Sequence, residues 1–438
     1  MKIINSALLA ILVMAAIGAN LYAKSPTVVY PTGVFPTDVQ NVQAAINQGG
    51  TVLLKATDSV GHPLAFNFGT PQHLAPNRFV LIQGDVSIMG ETVGASRTTV
   101  SGGSTPFRIG GGKNSIQGIQ FDGPLTHAIR IFASNGTSIN GNRIENVVPD
   151  PLPIGFSQAD GIDVEASNPD DINGNLVISG NTFEDLTGDF SIALQVDSVA
   201  ANVTISNNTF QLGQLATDLG FANSAAILCF RCHSVVTIAG NMITIGRGVV
   251  FTGIGIDGGP DARYHVFGNT INSQGLFTDG IDAAGATGVD GGTVAAVIEK
   301  NAITLPNAAI GLAGIALIGA VSNSTIQGNT VTGDVVAALA GVQFDPRDQV
   351  TSNRFLNNDI ASVTASLSPI FFDTNTVNNI VRGQCVSVID LGTGNDVSCP
   401  NPHSNVNSGA FSTRQQMMQR ALQAQSAVHA QSNGANQP

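Results

Sequence analysis

One short motif returns along more than half of the chain. Its form is an apolar residue, one spacer, Gly or Asn, then Asn, one spacer and a second apolar residue, as in Ile205–Phe210. The shared Asn recurs at intervals of 27 to 39 residues as far as Asn329 and once more, in a looser copy, beyond it: Asn142, Asn181, Asn208, Asn241, Asn269, Asn301, Asn329 and Asn375. Such a period is the signature of stacked coils. We therefore predict one elongated solenoid rather than about three separate domains.

A second set of repeats lies between the Asn copies, in the segments 128–132, 161–165, 191–195, 226–230, 253–257, 280–284, 314–318 and 341–345. The second and fourth positions of each segment are apolar, so we expect them to point into the coil and the third and fifth positions to point out. The pattern predicts on the order of a dozen coils stacked at the ~4.8 Å spacing of a parallel sheet. The Asn side chains are expected to form an internal hydrogen-bonded ladder.

The sequence before the first strand predicts a capping helix. Thr37 is a suitable N-cap, and Gly49-Gly50 ends the segment. The predicted apolar face is Val39, Val42, Ala45 and Ile46. An amphipathic helix here covers the open end of a solenoid, so residues 24–50 are assigned to this segment and residues 51–399 to the coils.

The helical cap, the G-N-x-I turns and the stacked G-I-x-h strands, where h is apolar, resemble the right-handed parallel β-helix of the pectate-lyase-like superfamily. The resemblance covers residues 30 to 400 and implies an all-β fold. Members of that superfamily include pectate lyases, polygalacturonases, alginate lyases and epimerases, tailspikes, adhesins and accessory periplasmic proteins. The resemblance therefore implies a fold and leaves the reaction open.

The two ends of the chain differ from its middle. Lys2, the apolar run Ala7–Ala19 and the site ending at Ala23 have the form of a secretory signal peptide, so residues 1–23 are expected to be removed and the protein to be secreted or periplasmic. The alternative is a membrane anchor, for which the run is short of the ~20 residues needed. No later segment is typical of a transmembrane span. Residues 400–438 have no carboxylate and are predicted to form a polar tail, partly helical or disordered.

Four cysteines fit an oxidising compartment. Cys385 and Cys399 flank a turn sequence that is able to fold back as a hairpin, and we predict a disulfide between them. Cys229 and Cys232 form a C-x-x-C pair that suits either a redox pair or half of a zinc site. Because no second such pair exists, the favoured interpretation is two buried, unpaired thiols.

The outward positions of neighbouring coils gather titratable side chains at one place. The predicted catalytic cluster is His127, Arg130, Asp160, Asp163 and Glu165. Carboxylates on adjacent coils are close enough to perturb each other, to bind Ca²⁺, or to serve as the acid and nucleophile of a glycosidase, and an arginine beside them is suited to stabilise an anionic transition state. The alternative is a solvated face with ordinary charges.

Further along the same face we expect substrate-binding residues at Gln195, Phe230, Asp257 and Asp282. Gly255 leaves space beside Asp282. In the tetrapeptide Asp-Gly-Ile-Asp, which occurs at 160–163 and 279–282, the first Asp is also suited simply to cap a turn.

Charge and aromatic content limit the partners. A net charge of −12 argues against nucleic acid and anionic membranes, and mildly against acidic polysaccharides unless a cation bridges the two. The chain has no Trp and 3 Tyr, which lowers the expectation of tight sugar stacking. Two functions remain: a polysaccharide lyase or hydrolase, with Ca²⁺ as a candidate cofactor, and a non-catalytic binding or scaffold protein. The sequence does not decide between them, nor does it give an oligomeric state.

Overall fold

The computed structural model describes residues 25–71, 77–151, 157–184, 186, 192–212, 225–246, 252–259, 262–274, 279–285, 292–305, 313–342, 346–384 and 386–398, with the side chains of 150–151 and 157–158 excepted. Within these residues the chain forms three long parallel sheets, here called sheets A, B and C, and each coil adds one strand to each sheet in turn.

Sheet A contains 14 strands in the described part of the chain: Thr27–Val29, Gly50–Leu54, Val86–Gly90, Asn114–Gln117, Thr137–Asn140, Asn175–Ser179, Asn202–Ser206, Val235–Ala239, Arg263–Phe267, Ala295–Glu299, Thr325–Gln327, Arg354–Leu356, Ile380–Arg382 and Asp396–Val397. Sheet B contains 11: Phe66–Asn67, Thr99–Ser101, Gln120–Asp122, Arg143–Glu145, Thr182–Glu184, Thr209–Leu212, Met242–Ile245, Thr270–Ser273, Ala302–Leu305, Thr330–Val335 and Val363–Ala365.

Sheet C contains 12 strands: Val80–Ile82, Phe107–Gly110, Ile129–Ala133, Ile162–Glu165, Ile192–Asp197, Ala225–Phe230, Thr252–Asp257, Asp279–Gly285, Ala313–Gly319, Ala337–Val342, Ile370–Phe372 and Val388–Asp390. The protein is thus a right-handed parallel β-helix, and the predicted number of coils is confirmed.

The remaining elements are short. A small parallel sheet joins Val321–Ser322, Val350–Thr351 and Thr376–Val377, and two antiparallel pairs join Asp150–Pro151 to Ser157–Gln158 and Thr92–Val93 to Ser96–Arg97. The helices are an α-helix at Thr37–Asn47 and a 3₁₀ turn at Pro169–Asp171.

The predicted asparagine ladder is present inside the coils. From Asn142 to Asn329 each amide nitrogen donates to the amide oxygen of the next rung at 2.9 or 3.0 Å. A second ladder runs from Asn353 through Asn379 to Asn395 at 3.0 Å. Because each amide also donates to a strand carbonyl or accepts a backbone N–H, the ladders satisfy buried turn groups that have no water to bond.

The prediction that Asn375 is a rung is wrong. Its Nδ2 donates to the carbonyls of Pro346 and Asp348, and the ladder runs instead from Asn329 to Asn358. The residue before a rung adopts a positive φ, for example 54° at Asn207 and 50° at Asn357. Gly and Asn take this conformation readily, whereas the residue before Asn375 is a threonine, which does not.

Two copies of the sheet C repeat were aligned away from their true register, one by two residues and the other by three. Ile162 pairs with Leu194 rather than Ile192, and Ile315 pairs with Leu339 rather than Val342, which lies opposite Ile318. In the first case the slip is two residues, and a two-residue slip keeps every side chain on the same face of a strand. Alternating hydrophobicity therefore does not detect it.

The N-terminal helix packs on the first coils through the predicted apolar residues, with Val42 fully buried. Its Gln43 side chain both accepts from the N–H of Leu81 at 2.7 Å and donates to the Leu81 carbonyl at 3.0 Å, so it bonds the free edge of sheet C. Thr37 was predicted as N-cap, but it lies inside the helix and Pro36 precedes it. No side chain caps the first turn of this helix, and the Asp38 carboxylate instead accepts hydrogen bonds from Thr32 and from the N–H of Gly33, before the helix.

The last coil also differs from the prediction. Val388–Asp390 joins sheet C and Asp396–Val397 joins sheet A, so the segment between Cys385 and Cys399 continues the coil and is not a hairpin. Both cysteines lie outside the described residues, and their disulfide stays a prediction.

Candidate active site

One column of outward-facing positions runs along sheet C. By the register of the strands its rungs are Leu81, Arg108, Arg130, Asp163, Gln195, Leu228, Gly255, Asp282, Ala316, Ala340, Phe371 and Ile389. Four consecutive rungs, from Arg108 to Gln195, carry charged or polar side chains. The rungs from Ala316 onward are apolar, so the polar chemistry of this column is concentrated in its first half.

The structure brings together all five residues of the predicted catalytic cluster. Arg130 lies between two carboxylates, with its Nε 3.1 Å from Asp163 Oδ2 and its Nη2 2.8 Å from Glu165 Oε2. His127 lies on the other side of Asp163, and its Nε2 is 3.5 Å from Asp163 Oδ2 and 3.2 Å from Asp160 Oδ2. The four partners of Asp163 thus come from two coils and surround it with opposite and like charges.

Two atoms of this cluster have no hydrogen bond within the described residues although both are buried. They are Nε2 of His127, whose approach to the carboxylates is not aligned for hydrogen bonding, and Oδ1 of Asp163. A buried polar atom without a partner costs about 1–3 kcal/mol, and such atoms are rare in folded proteins. These two atoms are therefore candidates for contact with a ligand.

Burial raises the pKa of Asp163 to about 6, against an ordinary value of 3.8. The positive charges of His127 and Arg130 oppose this rise, whereas the carboxylates of Glu165 and Asp160 add to it. The Asp163 carboxylate in turn raises the pKa of Arg130, which keeps the guanidinium charged. A carboxyl group that titrates near neutrality is suited to take up and release a proton.

The side chains of this cluster differ in their exposure to solvent. Asp163 is 2% exposed, His127 5% and Asp160 fully buried, so these three side chains lie beneath the surface. The side chain of Arg130 is 37% exposed and that of Glu165 21% exposed. A ligand approaching sheet C therefore meets Arg130 and Glu165 first.

Asp160 has a structural contact of its own. Its Oδ1 accepts the N–H of Ile192 on the next coil at 3.0 Å, and the equivalent Asp279 accepts the N–H of Ala313 at 2.7 Å. Burial also raises the pKa of Asp279 well above its usual range, with a further contribution from Asp282. The first Asp of the repeated tetrapeptide thus joins one coil to the next by a hydrogen bond, a structural role that differs from the predicted capping of its own turn.

The predicted substrate-binding residues extend from the cluster along the sheet. Gln195 lies on the rung after Asp163, and Asp197 lies opposite Glu165. Asp197 forms a bidentate ion pair with Arg231, at 3.1 and 2.9 Å, and the Arg231 guanidinium stacks on Phe230 at 4.5 Å from the ring centroid. Phe230 therefore holds an arginine in place, a contact that the sequence-based prediction missed.

Asp257 and Asp282 are placed in a separate group further along. The Oδ2 of Asp282 accepts from Thr252 Oγ1 at 2.8 Å, and its Oδ1 fills the space that the missing side chain of Gly255 leaves. Burial raises the pKa of Asp257 to about 7, opposed by a hydrogen bond from Gly258 and reinforced by Asp282. Asp282 is five rungs from Arg130, about 24 Å at the usual strand spacing, so the two groups do not form one catalytic centre.

Sequence reasoning missed Arg108, which precedes Arg130 in the column. The signal was available, because Phe107-Arg108-Ile109 has the same apolar–outward–apolar pattern as the repeats that were aligned. Arg231 was missed for another reason. It has a φ of 47°, which ends the strand, and a pattern of alternating faces does not place a residue beyond a strand end.

No three His, Cys, Asp or Glu side chains in the described ranges are arranged as ligands of one metal ion. Carboxylate oxygens are the ligand type that Ca²⁺ prefers, and Asp160, Asp163 and Glu165 supply them, but Arg130 occupies the position between two of these groups. The prediction of Ca²⁺ remains untested by this geometry. Among the described residues no helix has the length and hydropathy needed to cross a bilayer.

The structure has the two cysteines of the C-x-x-C pair as unpaired thiols. Cys229 and Cys232 are fully buried in the core. The turn at Arg231 brings the two thiols close, and a hydrogen bond with Cys229 together with burial raises the pKa of Cys232 well above its usual range.

No protein-family model matches the chain, and no curated protein sequence matches it. Solved structures do resemble it. An alginate lyase of family PL6 in complex with a trisaccharide is 15% identical over 87% of this chain and 91% of its own, with a TM-score of 0.49. The alginate lyase AlyF-OU02 is 14% identical over 88% of this chain and 89% of its own, with a TM-score of 0.45. A DFA-IIIase from Arthrobacter chlorophenolicus A6 is 12% identical over 88% of this chain and 98% of its own, with a TM-score of 0.39. At these identities no activity is transferred to this chain.

Proposed function

We propose that this β-helix binds a polysaccharide along the outer face of sheet C and cleaves it at the Arg130 cluster. The observation that supports the proposal is the placement of Asp163, with its pKa of about 6, beside an arginine and a second carboxylate that reach the surface. A long flat face built from one strand per coil suits an extended polymer more than a small ligand.

Two reactions fit these groups. In an elimination, a carboxylate takes the proton next to a sugar carboxylate, the electron pair forms a C=C bond, and the glycosidic C–O bond breaks as the leaving oxygen gains a proton. In a hydrolysis, one carboxyl group protonates the leaving oxygen of the glycosidic bond, and the other assists the attack of water at the anomeric carbon. In both, Glu165 is the carboxylate that meets the substrate and Asp163 exchanges protons. In the elimination Arg130 stabilises the negative charge that develops on the sugar carboxylate, whereas in the hydrolysis, whose transition state is cationic at the sugar ring, Arg130 orients Glu165 through their ion pair.

The test is a screen of the purified protein on acidic and neutral polysaccharides, with and without Ca²⁺. Unsaturated ends, followed by ultraviolet absorbance, indicate a lyase, and new reducing ends without them indicate a hydrolase. Glu165→Gln is expected to lower kcat at least 100-fold, whereas the exposed control Asp171→Asn, on the 3₁₀ turn, leaves it unchanged. Activity that survives Glu165→Gln and Asp163→Asn excludes this cluster.

A second candidate function is non-catalytic glycan binding or scaffolding. The burial of Asp163 and His127 favours it, because a group that does not touch substrate does not act on it directly. Binding to a glycan in the screen, with neither unsaturated nor reducing ends formed, would establish this function.

The ends of the chain belong to the same proposal. We expect export, with cleavage near Ala23, since a polymer-degrading β-helix meets its substrate outside the cytoplasm, and we assign residues 400–438 to a tail. Residues 1–24 and 399–438 lie outside the described residues. N-terminal sequencing of protein recovered from the culture medium or periplasm tests the export, and an intact Met1 there would contradict it.

A further inference from the structure

Arg108 is a charged side chain without a charged partner. No carboxylate in the described part of the chain pairs with it, and its only hydrogen bond there is a long one, 3.4 Å from Nη2 to the carbonyl of Ser104. Its Nε is buried and has no acceptor. A guanidinium has five N–H donors and no other way to satisfy them than anions, carbonyls or water, so Arg108 has most of its binding capacity left.

The surroundings of Arg108 hold it in place without neutralising it. The guanidinium carbon lies 4.0 Å from the ring centroid of Phe79, a cation–π contact that fixes its plane. Arg130 lies on the next rung, and its charge, after burial, lowers the pKa of Arg108. Arg130 is compensated by two carboxylates whereas Arg108 has none, so the positive potential at this end of the column belongs to Arg108.

An exposed aromatic ring lies beside this arginine. The register shifts between Ile131 and Ala133, so Phe132 is the extra residue of a bulge. Its ring is placed over Gly110 of the neighbouring coil, where a Cβ would lie only 2.6 Å from Phe132 Cζ. Phe132 is 40% exposed, and Gly110 is two residues from Arg108, about 7 Å along the strand.

We infer that Arg108 and Phe132 form a subsite for a carboxylated sugar, a hexuronate unit of the polysaccharide. Arg108 binds the carboxylate through paired N–H donors, and the Phe132 ring packs against the apolar face of the sugar. The bulge makes Ala133 the strand partner of Gly110 and leaves the Phe132 ring packed over that glycine. This inference rests on the proposed function for its ligand class, and it locates the anionic unit one rung before the reacting groups.

The test is isothermal titration of the full chain with oligosaccharides of galacturonate, mannuronate and guluronate, and with the same oligosaccharides after reduction of their carboxyl groups. Charge-assisted hydrogen bonds are worth about 1.5–3 kcal/mol, so Arg108→Ala is expected to weaken uronate binding about 10- to 100-fold. The uronate affinity of Arg108→Lys is expected to lie between those of the wild type and Arg108→Ala, because lysine keeps the charge and loses the paired donors. Reduced oligosaccharides should bind the wild type and Arg108→Ala equally weakly.

Two controls isolate the subsite. Arg354→Ala removes an exposed arginine from sheet A and should leave binding unchanged. Phe132→Ala should weaken binding of both natural and reduced oligosaccharides, because stacking does not depend on the carboxylate. Gly110→Ala should do the same by displacing the ring, and circular dichroism verifies that each variant is folded.

The outcomes separate this inference from the proposed function. If no glycan is cleaved but uronate binding depends on Arg108, the catalytic proposal fails and the subsite stands. If cleavage occurs and Arg108→Ala changes neither Kd nor KM, the subsite is wrong and the function stands. Wild-type protein that binds no uronate, or binds reduced oligosaccharides as well as natural ones, overturns the subsite.

Discussion

The asparagine ladder allows a quantitative prediction at Asn241, which lies in the middle of it. Its Oδ1 accepts from both the backbone N–H and the Nδ2 of Asn208 at 3.0 Å, and its Nδ2 donates to Asn269 Oδ1 at 2.9 Å and to the carbonyl of Ile205 at 3.1 Å. In Asn241→Ala the Asn208 amide keeps its bond to Ile178, and Asn269 Oδ1 keeps the N–H of residue 241. The backbone N–H of Asn208 and the carbonyl of Ile205 lose these side-chain partners.

Each orphaned buried group costs about 1–3 kcal/mol, so Asn241→Ala is expected to lower the free energy of unfolding by about 2–6 kcal/mol. Urea denaturation followed by circular dichroism measures the loss. Since coils of a solenoid are stabilised mainly by their neighbours, hydrogen exchange should quicken first at the amide of Asn208. The matched control is Asn272→Ala, an exposed asparagine on the strand Thr270–Ser273, which should change stability by less than about 0.5 kcal/mol. Equal losses in the two variants would refute the ladder's energetic role.

Three further predictions concern the site, the cap and the thiols. The pKa of Asp163 is raised to about 6 in the folded protein, so its contribution to stability is full below pH ~4 and is lost as the pH rises through 6. The loss is about 3 kcal/mol for a shift of about two pKa units. The Tm of Asp163→Asn relative to wild type should therefore increase from pH 4 to pH 7.5, and a difference that stays constant with pH would contradict the burial argument. Asp38→Ala should lower stability by about 2–4 kcal/mol in thermal melts because several donors lose their acceptor, whereas Thr37→Ala should be within about 0.5 kcal/mol of wild type. Cys229 and Cys232 should escape alkylation in the native protein and react after denaturation, as read by peptide mass mapping; labelling of the folded protein would show that the core opens there.

The repeat predicted the architecture because each element of it has a separate physical cause. The apolar pair of each strand marks the inward face, the Gly or Asn before a rung supplies the positive φ of the turn, and the rung itself satisfies buried backbone groups. These constraints act within a few residues, so they are visible in a single sequence. Asn375 belonged to a looser copy of the motif, with Thr374 in place of the Gly or Asn that precedes a rung, and for that reason it was assigned wrongly.

Strand register and side-chain partners were harder to predict from the sequence. The two-residue slip at Ile192 is invisible to a pattern of period two, and it is set by how the whole coil fits between its neighbours. The cluster around Asp163 could be predicted because its members stand at equivalent strand positions of adjacent coils. Arg231 could not be predicted in this way, since it follows a strand end. Alternation placed Phe132 on the outer face, but it did not reveal the bulge that accompanies the packing of its ring over Gly110.

The location of the chemistry on sheet C follows from where polar groups are left unsatisfied. In the described part of the chain four buried side-chain nitrogen or oxygen atoms lack a hydrogen-bond partner, and three of them belong to Arg108, His127 and Asp163. These residues lie on three successive coils of one face, whereas the ladders inside the coils bond their amides to one another throughout. A fold that satisfies its buried asparagines rung by rung, yet leaves an arginine, a histidine and a carboxyl group incompletely bonded at one place, offers hydrogen-bonding capacity there. Because those atoms include a guanidinium nitrogen and an oxygen of a carboxyl group whose pKa is about 6, they support the proposal that an acidic sugar binds at this face of sheet C.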